Sequence, residues 1–335
     1  MTAPHLAVRR AVVASLADLE PADLVLVACS GGADSLALAA ALVHVARRDR
    51  LRAGAVSVDH GVQDGSADRA RAVGARLVAL GLDPVEVVHV QVDDTAHGPE
   101  GNARWARYAV LDAAALRHGA SALLLGHTRD DQAETVLLRL ARGSGARSLA
   151  GMAGVAGRYR RPFLHLPCAV VRASLPAGVE AWEDPHNSDP SYARARVRHR
   201  LLPALEADLG PGVSDALART ADLLRADADA LDAWAERAVA DCVIIGSRRP
   251  MSPESADDHR LDVVTLLTHP QAVRWRVLRR TSIAAGSPPT DLTAAHVEAV
   301  DALVTHWHGQ VGVDLPGKLR ATRSGNELRI ASAEG

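Results

Sequence analysis

Between Leu24 and Leu140 four short apolar runs alternate with helical patterns, and this alternation restricts the fold more than any other feature of the chain. Leu24 to Cys29, Ala53 to Val58, Val85 to Val92 and Ala122 to Gly126 read as strands. Ser35 to about Arg48, Ser66 to Leu80, Asn102 to His118 and Asp131 to Leu140 read as helices, the third with Trp105, Tyr108, Leu111 and Leu116 as its candidate apolar face. Apolar strands joined by helices require a parallel sheet covered on both faces, because the crossover helices lie on the sheet and bury it. The expected class is therefore α/β, a doubly wound parallel sheet. In such sheets ligands sit beyond the carboxyl ends of the strands, so the polar residues just after each run are the candidates for chemistry.

A length of 335 residues implies two domains. After Arg142 the alternation gives way to Gly-, Arg- and Pro-rich sequence, and Pro203 with Gly210-Pro211-Gly212 marks a boundary. The expected division is a catalytic domain over 1–208 and a smaller, mainly helical substrate domain over 209–335. In the second, a long amphipathic helix from Val213 to Asp241 precedes a loop from Gly246 to Asp258. Helices are expected at Leu261 to Thr268, Gln271 to Ser282 and Thr293 to Thr305, with short strand-like pieces from Gly309 to Ile330. Met1 to Leu19 lacks the continuous apolar stretch and cleavage site of a signal peptide and reads as a surface helix. No stretch is long and apolar enough to span a bilayer, so no membrane association is expected.

Residue usage excludes several chemistries. Cys29, Cys168 and Cys242 are isolated, which argues against a structural zinc site and suits a reducing cytoplasm. Lys318 is the only lysine, and it stands in a C-terminal turn signal. A Walker A lysine and a Schiff-base lysine are therefore both disfavoured. The net charge of −2 conceals a local bias: Arg142 to Arg200 holds ten basic and four acidic residues. A basic zone in a near-neutral protein points to a polyanionic partner, with a solvated arginine surface as the plain alternative. Aromatic residues make up only 3% of the chain, so any RNA contact relies on arginine and shape more than on stacking.

The first expected strand runs into Ser30-Gly31-Gly32-Ala33-Asp34-Ser35 and then a helix. The glycines let the backbone approach an anion and adopt positive φ. Successive amides and the helix N-terminus then face a phosphate, with Ser30 and Ser35 as hydroxyl donors. A carboxylate at Asp34 repels phosphate unless a cation bridges them, and Mg²⁺ commonly joins one or two carboxylates to phosphate oxygens. A tight turn with Asp34 as a helix cap explains one residue and leaves the double glycine between serines unexplained.

These six residues resemble the PP-loop pyrophosphatase signature of the adenine nucleotide alpha hydrolase-like fold. Further motifs follow in order: Val58-Asp59-His60-Gly61-Val62, Gly101-Asn102-Ala103-Arg104-Trp105-Ala106-Arg107-Tyr108, and Gly126-His127-Thr128-Arg129-Asp130-Asp131-Gln132-Ala133-Glu134-Thr135. Arg142-Gly143-Ser144-Gly145, Trp182-Glu183-Asp184-Pro185-His186-Asn187 and Tyr192-Ala193-Arg194-Ala195-Arg196-Val197-Arg198 complete the set. Together they resemble the tRNA(Ile)-lysidine synthetase family, densely from Leu24 to Pro203 and diffusely beyond. Two departures stand out: Ala195 replaces the family's usual asparagine, and the chain matches the short form without an extra C-terminal domain.

The resemblance implies a two-step ligase reaction. The C2 oxygen of the wobble cytidine in a CAU-anticodon isoleucine tRNA attacks the α-phosphate of ATP and releases pyrophosphate; the ε-amine of free L-lysine then displaces AMP to form lysidine. It also favours a homodimer. Charge builds on the α-phosphate in both steps, so preorganised donors and a metal should dominate catalysis. The expected nucleotide contacts are Ser30 to Ser35, Asp59, His60, Arg104 and Arg107, with Asp34 as the Mg²⁺ ligand. His60 and His127 each follow a strand and reach phosphate or ribose oxygens in this reading, or else cap the next helix. Asp131 and Glu134, at i and i+3, are expected to bind the lysine ammonium and help remove its proton; an acidic first turn answering the helix dipole is the alternative. Arg104 and Arg107 clamp phosphate or RNA, or form a solvated face. Arg194, Arg196, Arg198 and Arg200 share one face on a strand and spread on a helix, and by resemblance Arg194 is the catalytic one. Trp182 stacks on a base or packs in the core. The enzyme rival is a tRNA thiolase, for which the isolated cysteines are unsuited; a non-catalytic ATP-binding module would leave Asp131, Glu134 and the arginines without a task.

Overall fold

The structure, a computed structural model, describes residues 3–59, 61, 65–90, 98–143, 145–244 and 259–333, with the side chains of 98–104 and 186 outside that description. Contacts divide the chain into two compact units, Met1–Arg225 and Ala226–Gly335.

The first unit runs α1 (Pro4–Ser15), β1 (Leu24–Ala28), α2 (Ala33–Asp49), β2 (Arg52–Asp59), α3 (Ser66–Ala79), β3 (Val85–His89), α4 (Gly98–His118), β4 (Ala122–Leu124) and α5 (Arg129–Leu140). It continues with α6 (Ala146–Leu149), β5 (Val155–Ala156), β6 (Tyr159–Arg160), α7 (Cys168–Arg172), α8 (Ala193–Arg196), a π-helical turn (Val197–Leu201) and α9 (Leu202–Leu209). The sheet order is β3-β2-β1-β4-β6-β5, parallel throughout except for β5 against β6. The chain leaves β1 towards β2 and β3, then returns to place β4 on β1's other side, with Val25 beside Ala122. Strand order reverses there, and the crevice between the carboxyl ends of β1 and β4 is where a doubly wound sheet holds its ligand.

Burial explains the strand pattern. β1 is enclosed on both faces, with Val25, Leu26 and Val27 fully buried. One face packs on α1 and α2 through Val12, Leu38 and Leu42, and the other on α4 through Leu111, Ala114 and Ala115. The surface helix expected at the N-terminus is α1, which buries a stripe of Val8, Val12 and Leu16. On α4 the expected apolar face is only partly right: Leu111 is buried, but Trp105 is 70% and Leu116 69% exposed. At about 100° per residue they lie roughly 120° and 140° around the helix from Leu111, and Ala114 and Ala115 fill the inner face instead. The two-residue strands β5 and β6 are too short to carry a sequence period.

In the second unit, α10 (Val213–Cys242), which starts in the first, is followed by β7 (His259–Asp262), α11 (Val263–Thr268), α12 (Gln271–Ala284), α13 (Ala294–Thr305), β8 (Val313–Leu315), β9 (Leu319–Ser324) and β10 (Glu327–Ser332). The strands form an antiparallel sheet in the order β7-β10-β9-β8. Leu261, expected in a helix, pairs with Leu328 in β7. The helix begins only at Val263, because the Asp262 side chain accepts the Thr265 N–H at 2.8 Å and caps it. The loop expected from Gly246 to Asp258 lies outside the described residues.

A buried polar clip holds α12 to α13. Asp301 accepts hydrogen bonds from Arg274 Nε, from Arg274 Nη2 at 3.0 Å and from Trp275 Nε1 at 2.9 Å, while Arg274 Nη1 donates to the His269 carbonyl at 3.0 Å. Both side chains are nearly enclosed, at 11% and 8% exposure. Removing one partner of such a pair strands the other charge. Asp301→Asn is expected to destabilise the second unit by about 3–5 kcal/mol in urea unfolding of the full chain.

Candidate active site

The phosphate loop is built by the turn out of β1. Gly31 has φ +84, and a Cβ there would lie 2.6 Å from Val73 Cγ2, so conformation and space both demand glycine. Gly32, extended, is the N-cap of α2. Ser30 is exposed, and Asp34 sits in the first helical turn with its side chain 27% exposed. Ser35 was expected to offer its hydroxyl to phosphate. That hydroxyl instead donates to the Gly32 carbonyl at 2.9 Å and lies 3.4 Å from Cys29 Sγ, so it shapes the turn.

The segment after β4 closes on this loop. A Cβ at Gly126 would lie 3.3 Å from the backbone of Asp34 and Ser35, so β4's end presses directly on the start of α2. Thr128 then caps α5 in a reciprocal box. Asp131 Oδ2 accepts from the Thr128 N–H at 2.8 Å and its hydroxyl at 2.9 Å, while the Asp131 N–H reaches Thr128 Oγ1 at 3.5 Å. Thr128-x-x-Asp131 was therefore a legible helix-start signal. The box spends Asp131 Oδ2 and leaves Oδ1 facing the site. Asp130 Oδ2 accepts the Cys168 N–H at 2.7 Å and so fixes the start of α7. Gln132 is buried and exchanges hydrogen bonds with the Met152 backbone at 3.0 and 2.8 Å.

The arginine run settles onto a helix, which divides its members. Arg194 and Arg198, one turn apart, face α5. Arg194 Nε donates to Glu134 Oε2 at 2.7 Å, and Arg198 Nε to Glu134 Oε1 at 2.5 Å. Arg198 Nη2 donates to Asp131 Oδ1 at 2.9 Å, and Arg194 Nη2 lies 3.6 Å from the same oxygen. Arg196 points elsewhere, donating to the Pro190 and Ser191 carbonyls at 2.7 Å each. Arg200 is exposed, and Ala195 is buried at 6%. The Glu134 side chain is 1% exposed with both oxygens taken by guanidinium groups. It is not an open ligand for an ammonium in this geometry, as the sequence reading had it.

The charges are balanced unevenly. Burial works against ionisation of Asp131, but Arg194, His127, the Thr128 N–H and Arg198 together outweigh it and hold its carboxyl below 3.8. Asp34 goes the other way. Burial raises its pKa above 3.8, Arg172 only partly offsets this, and the nearby Asp131 charge adds to it. Arg172 Nε is 3.9 Å from Asp34 Oδ1, and the Cys168 thiol is 3.7 and 3.9 Å from the two Asp34 oxygens. Burial first, and the Asp34 charge second, push that thiol up to about 11, so it stays protonated and donates to the carboxylate. In the sequence, Arg198 stands out only as a member of the arginine run and Cys168 only as an isolated thiol, and Arg172 does not stand out. Arg198 was legible as the i+4 partner of Arg194 once the run is helical; Cys168 and Arg172 carry no local signal.

A half-buried carboxylate with a raised pKa, compensated only in part by Arg172 at 3.9 Å, suits a hard divalent cation. Among the described residues no group of three or more His, Cys, Asp or Glu side chains forms a metal cage. A cation at Asp34 would be shared between that carboxylate and phosphate oxygens, a common arrangement for Mg²⁺. Of the remaining expected contacts, only Asp59 and Arg107 have described side chains. Asp59 is buried, with Oδ1 accepting the Gly61 N–H at 3.0 Å and Oδ2 3.1 Å from His89 Nδ1. Burial opposes its ionisation, yet the bonds from Gly61, His89 and Ser66 hold it below 3.8, so it orders the turn after β2. His60 lies outside the described residues, as does the Arg104 side chain; Arg107 is exposed on α4. The basic zone is largely consumed internally: Arg160 binds Asp18 and the Ser15 carbonyl, and Arg161 the Ala153 carbonyl.

Fold and site define a PP-loop domain, and residues 5–205 match the family described as PP-loop domain. A solved U34-tRNA thiolase, NcsA from Methanococcus maripaludis, shares the fold with a TM-score of 0.54 at 20% identity, covering 65% of this chain and 78% of that one. Residues 261–329 match the TilS substrate binding domain. Two proteins named tRNA(Ile)-lysidine synthase are similar over nearly the whole length. That of Thermobifida fusca is 57% identical over 98% of both chains, and that of Streptomyces coelicolor 56% identical over 93% of this chain and 86% of the other. The chain belongs to the tRNA(Ile)-lysidine synthase family, whose members are ATP-using enzymes.

Proposed function

We propose that this enzyme adenylates the C2 oxygen of the wobble cytidine of a CAU-anticodon isoleucine tRNA with ATP, releasing pyrophosphate, and that the ε-amine of free L-lysine then attacks C2 and displaces AMP, forming lysidine. The observation that carries this reading is the meeting, at the β1/β4 switch point, of a phosphate loop holding a partly compensated Asp34 with a carboxylate–arginine cluster from α5, α8 and the π-helical turn that follows it.

Roles follow from the geometry. The amides of Gly31 to Asp34 and the α2 N-terminus hold ATP phosphates. Mg²⁺ held by Asp34 would neutralise charge on the phosphate oxygens. Arg194 and Arg198, set in place by Glu134, face the position where negative charge grows on the α-phosphate, and oriented donors there lower the barrier without reorganising. Asp131, whose side chain is 15% exposed against 1% for Glu134, is the more accessible carboxylate for the amine, which would share Oδ1 with Arg198. Removing the amine's proton needs an acceptor, and His127, beside Asp131, is the candidate. The second unit takes the tRNA body. No described helix is long and apolar enough to cross a membrane, and the three free thiols accord with a cytoplasmic enzyme. A protonated Cys168 is a poor sulfur carrier, which speaks against thiolation.

Incubation with labelled lysine, ATP and CAU-anticodon isoleucine tRNA, followed by nucleoside analysis, tests the reaction; no label in the wobble nucleoside would reject it. Ornithine, one methylene shorter, is expected to be used less efficiently by about 1–3 kcal/mol, read as kcat/KM against lysine. Equal use of both amines would count against a dedicated lysine pocket.

A further inference from the structure

The Trp182 segment has no task in the reaction derived above, yet it touches the phosphate loop. We propose that Trp182 is a positioning residue for ATP: it sets the orientation of a phosphate-binding amide in the loop, and α3 locks it there. The Trp182 N–H donates to the Gly31 carbonyl at 2.9 Å. The carbonyl and the N–H of one trans peptide point in opposite directions. Tying the Gly31 carbonyl to Trp182 therefore turns the Gly32 N–H to the opposite side of the loop. The next peptide is fixed in the same manner, since the Gly32 carbonyl accepts from the Leu36 N–H at 3.0 Å and from Ser35 Oγ at 2.9 Å. Two successive amides, those of Gly32 and Ala33, are thus oriented before any nucleotide arrives. Without the Trp182 bond the Gly31 peptide is free to flip, because glycine at φ +84 has low barriers on either side.

One face of α3 holds this arrangement. Arg69, Val73 and Arg76 stand at i, i+4 and i+7. The Arg69 guanidinium lies 4.6 Å above the Trp182 ring centroid. Val73 fills the space against Gly31, and Arg76 Nη1 donates to the Glu180 carbonyl. Ring stacking by arginine is worth more where water is partly excluded, and here one ring face is already occupied. Trp182 accordingly serves the ATP loop, where a base-stacking role would serve the tRNA.

The inference rests on the ATP reading of the loop, and the test separates the two. Trp182→Pro removes the N–H and is expected to raise KM for ATP about tenfold, the cost of losing one oriented bond to a charged group. Trp182→Ala and Arg69→Gln keep the N–H but loosen the clip, and are expected to raise it at least about threefold. In all three, kcat and KM for tRNA should change less than twofold. Circular dichroism checks the fold, and if the proline variant does not fold the other two decide. MgATP should also perturb tryptophan emission in the parent protein and less in Trp182→Phe. Folded Trp182→Ala and Arg69→Gln with unchanged KM for ATP, or with a raised KM for tRNA only, would overturn the proposal. A parent protein that binds no ATP would instead remove the reading beneath it.

Discussion

Asp34→Asn is expected to lower tRNA-dependent pyrophosphate release by about 10³-fold, the scale of losing one preorganised electrostatic group at a reacting centre, and at the same time to stabilise the ligand-free protein. The two effects share one cause. Burial makes the Asp34 carboxylate costly, and Arg172 at 3.9 Å and the Cys168 thiol compensate it only in part. A carboxyl with a folded pKa above its ordinary 3.8 binds its proton more tightly in the folded state. Its contribution to stability then falls as pH rises from about 3.8 through the raised value, and stays low at neutral pH. Asparagine has nearly the same shape and no charge, so the neutral-pH unfolding midpoint should rise and this part of the pH dependence should vanish. Thermal unfolding without ATP or Mg²⁺, beside a pyrophosphate-release assay with both, measures the pair. Substantial Mg²⁺-dependent turnover in Asp34→Asn would reject the metal role, and a lower midpoint would show that Arg172 and Cys168 compensate the charge fully. Active sites commonly hold such uncompensated groups at a cost to stability.

What was legible in the sequence follows from what local patterns encode. Leu24 to Cys29 had to be a buried strand because no polar residue interrupts it, and the double glycine after it had to turn. The strands and helices up to Leu140 place Asp34 and Asp131 just beyond strand ends without any knowledge of side-chain contacts; that the two strands are neighbours comes from the sheet order. Contacts that join distant segments were not legible. Nothing near Cys168 announces that its thiol meets Asp34, 134 residues earlier, or that the Trp182 N–H closes on Gly31. The arginine run was ambiguous for a different reason. Alternation at 194, 196, 198 and 200 fits a strand, and only tertiary packing selects the helix that turns 194 and 198 inward and 196 out. Charge counting pointed to a polyanionic partner, in keeping with the tRNA(Ile)-lysidine synthase relatives, but not to the residues that would meet it, since a guanidinium bound to backbone carbonyls, as in Arg161 and Arg196, contributes to the composition but little to a surface for RNA.

The second large effect concerns Glu134. Its buried carboxylate holds Arg194 and Arg198 at 2.7 and 2.5 Å, so Glu134→Gln leaves two guanidinium groups short of a counter-charge. Breaking a buried pair by removing one partner costs about 3–5 kcal/mol, and a loss of that size should appear in urea unfolding of the full chain. The catalytic consequence distinguishes two roles. If Glu134 binds the lysine ammonium, adenylation, which precedes the amine, should survive, and only KM for lysine should rise. If Glu134 sets the arginines, adenylation itself should fail, measured as tRNA-dependent pyrophosphate release without lysine. The geometry predicts the second outcome. A double-mutant cycle gives an independent check: in Glu134→Gln with Arg198→Gln both the carboxylate and one of its guanidiniums are gone, so the combined loss of stability should be smaller than the two single losses added together. Additive losses would mean that the short contacts in the structure carry little energy, and that the arginines find their places without Glu134.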